Sequence, residues 1–313
     1  MSRTLRFTIS AGVFALIVIS SLAPVQGQTQ ASCQFTSFNR RFFISSSSGH
    51  RVLVPRGVND YNTVVGEAQD DGNFSVRGFT RSSSGSISYY SHMTDGSPVH
   101  TYFTGRTNGG TTIGVAGPEF SLATMKGTPF TLHGSTFTAL AMTIGGIDYT
   151  KFTIWGINRW GTRVGAYTDA SGKIHGFRSY SNGNAISLGY PGAAETVASA
   201  INDNGTIVGS YTKSLPPNAW WHGFIYNNGQ WATLNYPNSG LQTMLSGISN
   251  ANRIVGTTLK GTTATGSFFY QSGAFKRIVM PNSNVPTEAN GVSPGKGLIT
   301  GFSGYTGFIA TCK

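Results

Sequence analysis

Six residues between positions 92 and 119 carry most of the chemistry this chain offers: His92, Asp95, His100, Tyr102, Arg106 and Glu119. An imidazole and a phenol can move a proton, and a guanidinium can neutralise a carboxylate beside them. Arg106 draws attention because related segments elsewhere in the chain have Val58, Ile157, Ile201, Ile248 or Val292 at its place. Arginine at an apolar position is costly unless it is paired or faces a wet space. Arg106 is therefore expected to face a solvent-filled centre, with His100 and Tyr102 as its catalytic partners if the protein is an enzyme. The competing reading is a drifted segment whose arginine reaches out to solvent. His92, Asp95 and Glu119 lie on adjoining loops as candidate ligand contacts. So do Trp220 and Trp221, a pair suited to stacking on sugar rings, although Trp221 fits interior packing equally well.

Other motifs are weaker. Gly291 to Gly295 reads GVSPG, which matches a nucleophile elbow, but Ser293 occupies the place of Asn59, Asn158, Asn202 and Ser249 and so reads as a turn residue. His175 and His222 both precede Gly-Phe, and that recurrence points to a structural task. Asp70, Asp71, Asp95, Glu119, Asp148, Asp169, Glu195 and Glu288 should share one face, yet no spacing selects the facing pair that a glycosidase needs. No group of His, Cys or carboxylates has metal-ligand spacing, so neither a metal nor a cofactor is expected.

What must position these residues is a repeat. Similar segments begin at Gly57, Gly105, Gly156, Ala200, Gly247 and Gly291, spaced by 48, 51, 44, 47 and 44 residues. Periods of this length with strand-like content predict propeller blades. In the copy around Ala200, strands are expected over Thr196 to Ile201, Thr206 to Tyr211, Trp221 to Tyr226 and Gln230 to Tyr236. Asn-Asp-Asn-Gly and Asn-Asn-Gly turns separate them. The fold class is all-β, a β-propeller of six four-stranded blades, although the divergent second copy leaves five or seven open. The last copy stops after its third strand. Gly49 to Pro55, GHRVLVP, matches the fourth-strand pattern, so the N-terminal region is expected to close the ring. Closure would bring Cys33 and Cys312 into one blade and predicts a disulfide between them; two separate thiols are the alternative.

Residues 1–27 read as a signal peptide: Arg3 and Arg6, an apolar run from Phe7 to Ile19, then the small-residue stretch Ala23 to Gly27. An uncleaved anchor is the alternative. Residues 28–313 then form one propeller domain, with no stable membrane span after cleavage, in a secreted or periplasmic setting where disulfides persist. Charged residues are only 11% of the chain, whereas Gly, at 42, is abundant. This balance suits short strands and tight turns, and 39% hydrophobic content excludes disorder. The formal charge of +11 is spread without basic runs. A dispersed positive field in an exported protein suits polysaccharides or cell-envelope glycans rather than nucleic acid, with plain solubility as the other explanation.

The units G-I-N-x-x-G-x-I-V-G-x-Y, followed by H-G-F and a Y-P stop, resemble the bacterial extracellular HAF repeats. The likeness is specific over Gly156 to Pro281 and loose over Gly105 to Thr150. The resemblance implies an exported repeat array and no particular activity. Three functions stay open: a binding module for glycans or anionic envelope polymers, an enzyme such as a lyase or glycoside hydrolase acting on an acidic polysaccharide, and a structural protein.

Overall fold

A computed structural model describes residues 29–39, 41–43, 50–70, 75–94, 96–117, 127–149, 152–215 and 218–313. The expected signal peptide, Asp71, Asp95 and Glu119 lie outside these residues. The regular elements among the described residues are all β-strands, arranged as six sheets that are antiparallel except for one short parallel pair in the third. Each sheet packs against the next in chain order, and the sixth returns to the first. The innermost strands of blades 1 to 6 are His50–Val58, Ser97–Arg106, Phe152–Ile157, Glu195–Ile201, Gln242–Ile248 and Glu288–Val292.

The repeat motif has a packing cause. The third strand of every blade buries a phenylalanine completely: Phe79, Phe130, Phe177, Phe224, Phe268 and Phe308. Beside the first five stand Gly66, Gly114, Gly165, Gly209 and Gly256 of the second strand. A Cβ on any of these would come within 2.7–2.9 Å of the phenylalanine ring. The glycine thus makes room for the ring, and each buried ring contributes about 2–3 kcal/mol of apolar transfer free energy.

The ring closes through the N-terminal region, but not through the segment expected. Gly49 to Pro55 falls largely within His50–Val58, the innermost strand of blade 1, which pairs with Val64–Asp70. Pro55 had suggested a strand end, yet Arg41–Phe43 pairs with this strand only over His50 to Val52, so Pro55 lies on an open edge that tolerates proline. Closure falls to Cys33–Asn39, which pairs antiparallel with Thr306–Cys312 and sets Cys33 directly across from Cys312. The two are disulfide-bonded. Just upstream, Ala31 N–H donates to Arg277 O and Arg277 N–H to Thr29 O, so this segment fastens blade 5 as well as completing blade 6.

Blades 1 to 3 depart from four strands, and in blade 1 Arg41–Phe43 adds a fifth beside His50–Val58. His92–Thr94 adds a short hairpin strand to Ser97–Arg106. Met142–Ile144 lies parallel to Asn184–Leu188, the outer strand of blade 3, and Ile147–Tyr149 extends that sheet to six strands.

Candidate functional site

Every innermost strand carries a β-bulge at the same repeat position, between Pro55 and Gly57, Phe103 and Gly105, Ile154 and Gly156, Ala198 and Ala200, Leu245 and Gly247, and Ala289 and Gly291. A bulge inserts one unpaired residue and re-aims its side chain. The inserted residues are Arg56, Thr104, Trp155, Ser199, Ser246 and Asn290, and all six line a central cavity of about 930 Å³. The glycine that follows lets the strands crowd together. A Cβ on Gly156 would meet Ala200 Cα at 2.8 Å, and one on Gly291 would meet Gly57 Cα at 3.1 Å.

Three bulge side chains clip the next blade. Thr104 Oγ1 donates to Ile154 O at 2.7 Å, Ser246 Oγ to Ala289 O at 2.8 Å and Asn290 Nδ2 to Pro55 O at 2.8 Å. The other three differ in chemistry. Arg56 forms a close ion pair with buried Glu67, Nη2 to Oε1 at 2.6 Å and Nε to Oε2 at 3.0 Å. Burial alone would lower the Arg56 pKa, but the charge and hydrogen bonds of Glu67, with the charge of Glu288, raise it. Trp155 lines the cavity and packs into the apolar cluster of Ala166, Ile174, Val197 and Trp221. The Ser199 hydroxyl has no hydrogen-bond partner among the described residues.

The cavity lining is therefore uneven. Blades 3 to 5 supply Trp155, Val197, Met244, Leu259 and Ala264 along with the hydroxyls of Ser199 and Ser246, whereas blades 6 and 1 supply the ionic groups Glu288 and Arg56 with Asn290. Ring order places blade 3 opposite blade 6 and blade 1 opposite blade 4, so Trp155 confronts Asn290 and Arg56 confronts Ser199 across the space.

One mouth is framed by the turns between first and second strands. Asn59, Asn158 and Asn202 each accept two backbone N–H bonds through Oδ1, closing their own turns. Through Nδ2 each donates to a turn carbonyl of the next blade: Thr107, Asn202 and Ser249. Ser293 links blade 6 to blade 1 by donating to Asp60 Oδ1 at 2.7 Å. It is fully buried and its Oγ also accepts Leu298 N–H, the turn role its repeat position suggested.

The residues singled out in blade 2 do not surround a common point. His100 Nδ1 accepts Val76 N–H of blade 1 at 3.0 Å. Burial, then the charge of Glu67, raises the Tyr102 pKa, so this phenol lies on the ionic side. Arg106 contributes to the cavity lining, but its Nη1 donates to Thr112 Oγ1 at 2.6 Å, and burial lowers its pKa. His92 sits in the hairpin strand with its ring edge-on to Phe137 at 5.1 Å. Trp220 is 40% exposed, while Trp221 packs inward beside Trp155. His175 stacks on Tyr167 and bonds Asp169, and His222 stacks on Tyr211 and bonds Asn235. Of the carboxylates, Glu288 lines the cavity, Asp70 is held by Arg51 and Arg77, and Asp148 accepts from Thr143 on the added hairpin. No group of three His, Cys, Asp or Glu among the described residues is placed to hold a metal.

The bulge ring and its tryptophan were missed by sequence reasoning. The available signal was the residue before each repeat-opening glycine or alanine, variable in type while its neighbours are not.

No protein-family model and no curated sequence matches the chain. Solved structures do. Virginiamycin B lyase from Staphylococcus aureus is similar over 90% of this chain and 99% of its own, at 9% identity and a TM-score of 0.51. A gluconolactonase from Xanthomonas campestris covers 93% of this chain and 99% of its own, at 9% identity and a TM-score of 0.49. At such identity the likeness is one of fold: this chain is a six-bladed β-propeller.

Proposed function

We propose that the protein is an exported saccharide-binding module whose ligand occupies the central cavity. The reading rests on one observation. A stretch of lining rich in aromatic and aliphatic groups, with Trp155 and Met244, confronts an ionic and hydrogen-bonding stretch with Arg56, Asn290 and Glu288, across about 930 Å³. Sugar rings have the matching character, with C–H faces that stack on aromatics and hydroxyl edges that pair with polar groups. Export is supported by the Cys33–Cys312 disulfide, which suits an oxidising compartment. Among the described residues, no helix is long and apolar enough to cross a membrane.

The test is titration of mono- and disaccharides followed by tryptophan fluorescence and calorimetry. A saturable signal that Trp155→Ala removes is the expected result. No heat and no fluorescence change with any sugar would overturn the reading. A second reading, cleavage of a polysaccharide, is favoured by the two carboxylates near Arg56, Glu67 and Glu288. Mass spectrometry of the same incubations would reveal it as new oligosaccharides, with elimination products one water lighter than hydrolytic ones.

A further inference from the structure

The two ends of the ring differ in charge chemistry. On the end opposite the turns between first and second strands, cations meet carboxylates: Arg51 and Arg77 hold Asp70. The end that carries the turns is different. Its cations include Arg81, Arg106, Arg159, Arg163, Arg253 and Lys296, whereas the carboxylates on those turns are Asp60 and Asp203. Both carboxylates are spent on neighbouring turns. Asp60 accepts from Ser293, Gly295, Lys296 and Asn108, and Asp203 from Arg159 N–H and Asn250.

Three of these arginines share one structural position type. At the turn end of each blade, residues paired across the first three strands point into the cleft toward the preceding blade. In blade 4 this row is Ile201, Ile207 and Tyr226, and in blade 5 it is Ile248, Ile254 and Tyr270. Blade 1 has Val58, Val64 and Arg81, blade 2 has Arg106, Thr112 and Leu132, and blade 3 has Ile157, Arg163 and Ser179. Each of three successive clefts therefore holds one half-buried guanidinium where blades 4 and 5 place isoleucine or tyrosine.

None of the three has a carboxylate partner among the described residues. Arg81 reaches Ser82 O at 3.4 Å and lies over the Phe38 ring, Arg106 bonds Thr112 Oγ1, and Arg163 Nη1 donates to Tyr180 O at 3.3 Å. The Nε atoms of Arg106 and Arg163 are buried without hydrogen-bond partners. Burial lowers the pKa of all three. A desolvated cation left without its counter-charge raises the energy of the fold, and an anion bound at the cleft mouth would relieve it. The same end exposes Tyr61 at 66% and Trp160 at 63%. Trp160 is fixed by its Nε1 bond to Asp203 O at 3.0 Å and by Arg159 above its ring.

We infer that the turn face of blades 1 to 3 is a docking surface for an acidic polysaccharide, with Arg81, Arg106 and Arg163 receiving successive anionic groups and Tyr61 and Trp160 stacking on sugar rings. Aromatics suited to stacking on sugar rings, together with the export proposed above, favour a polyuronate over a lipid surface or a nucleic acid. This site adjoins the turn-side mouth of the central cavity, whose lining Arg106 and Arg159 share, and carries a different specificity.

The test measures retention of the full exported chain on immobilised polygalacturonate and on neutral dextran, from low to high salt. Polygalacturonate should bind, with affinity falling as salt rises, and dextran should not. R81Q/R106Q/R163Q should weaken polygalacturonate binding at least tenfold. Because those positions are half-buried, the exposed pair R159Q/W160A serves as a second variant and should weaken it several-fold without touching a cleft. K213Q/K260Q, which removes charge from the other face, should change it less than twofold. Trp155→Ala should leave polygalacturonate retention intact, which separates this site from the cavity reading. Equal losses from the two faces would overturn the assignment. So would equally tight binding to anionic vesicles or to single-stranded DNA, or no preference for polygalacturonate over dextran.

Discussion

Asn202→Ala tests the links between turns most directly. Asn202 is 1% exposed and makes four hydrogen bonds. Its Oδ1 accepts from Asn204 N–H at 3.1 Å and Thr206 N–H at 2.9 Å, and its Nδ2 donates to Ser249 O and Asn252 Oδ1, both at 3.1 Å. At about 1 kcal/mol net for each bond, with water recovering part of the loss at the more open positions, alanine should cost about 3 kcal/mol. The protein contains its own partial control. Ser249 and Thr107 occupy the equivalent place in blades 5 and 2, and their hydroxyls still accept the turn-closing amides of Arg253 and Thr111. Asn202→Ser should therefore keep the intrablade bond, lose the link to blade 5 and cost roughly half as much, about 1.5 kcal/mol. For a chain of this size the expected falls in Tm are about 6 °C and about 3 °C. Both are read by circular dichroism melting and urea unfolding of the disulfide-intact protein. An alanine cost below about 1 kcal/mol, or a serine as damaging as alanine, would refute the view that Asn202 joins two blades.

Three further outcomes are expected. The double variant C33S/C312S should lose up to about 5 kcal/mol, because the bond spans 279 residues; an unchanged melt on reduction of the wild type would contradict this. Burial alone would raise the Asp60 pKa, but hydrogen bonds from Lys296, Ser293, Asn108 and Gly295 outweigh it and hold the carboxyl below its ordinary value. Its stabilisation is thus complete above the ordinary carboxylate pKa and is lost as pH falls through the lower folded value, so the stability of Asp60→Asn should depend less steeply on acid pH than that of wild type. Arg163→Ile, which installs the residue type found in blades 4 and 5, should raise stability by about 1 kcal/mol while weakening polygalacturonate retention; a clear destabilisation would show that its bond to Tyr180 O outweighs its desolvation.

The repeat was legible because its cause is local and recurs. Gly209 and Phe224 must meet in blade 4, as Gly66 and Phe79 do in blade 1, and the period of those pairs sets the blade count. Ring closure was legible from the two cysteines, but the closing strand was misplaced. HRVLVP alternates well enough to serve either edge of a blade, and only its run into the Gly57 turn assigns it to the inner one. The site was less legible still. A bulge changes which way a side chain faces without any fixed residue type, so Trp155 and Ser199 looked unremarkable in sequence. Arg106 stood out as an arginine where the other copies have Val or Ile, but the half-buried arginines at like places, Arg81 and Arg163, lie on other strands of other blades. They are linked to it by pairing register rather than by nearness in the chain.

Strand Cys33–Asn39 also governs when the molecule can finish folding. Its partner, Thr306–Cys312, lies at the far end of the chain. Apart from the short parallel pair in blade 3, the other strand pairings among the described residues form between neighbours in sequence, yet the outer strand of blade 6 must wait for a closure that spans 279 residues. Loop entropy delays such contacts more than local ones. The outer edge of Thr306–Cys312 therefore stays unpaired until Cys33–Asn39 arrives, and the disulfide then makes that meeting permanent.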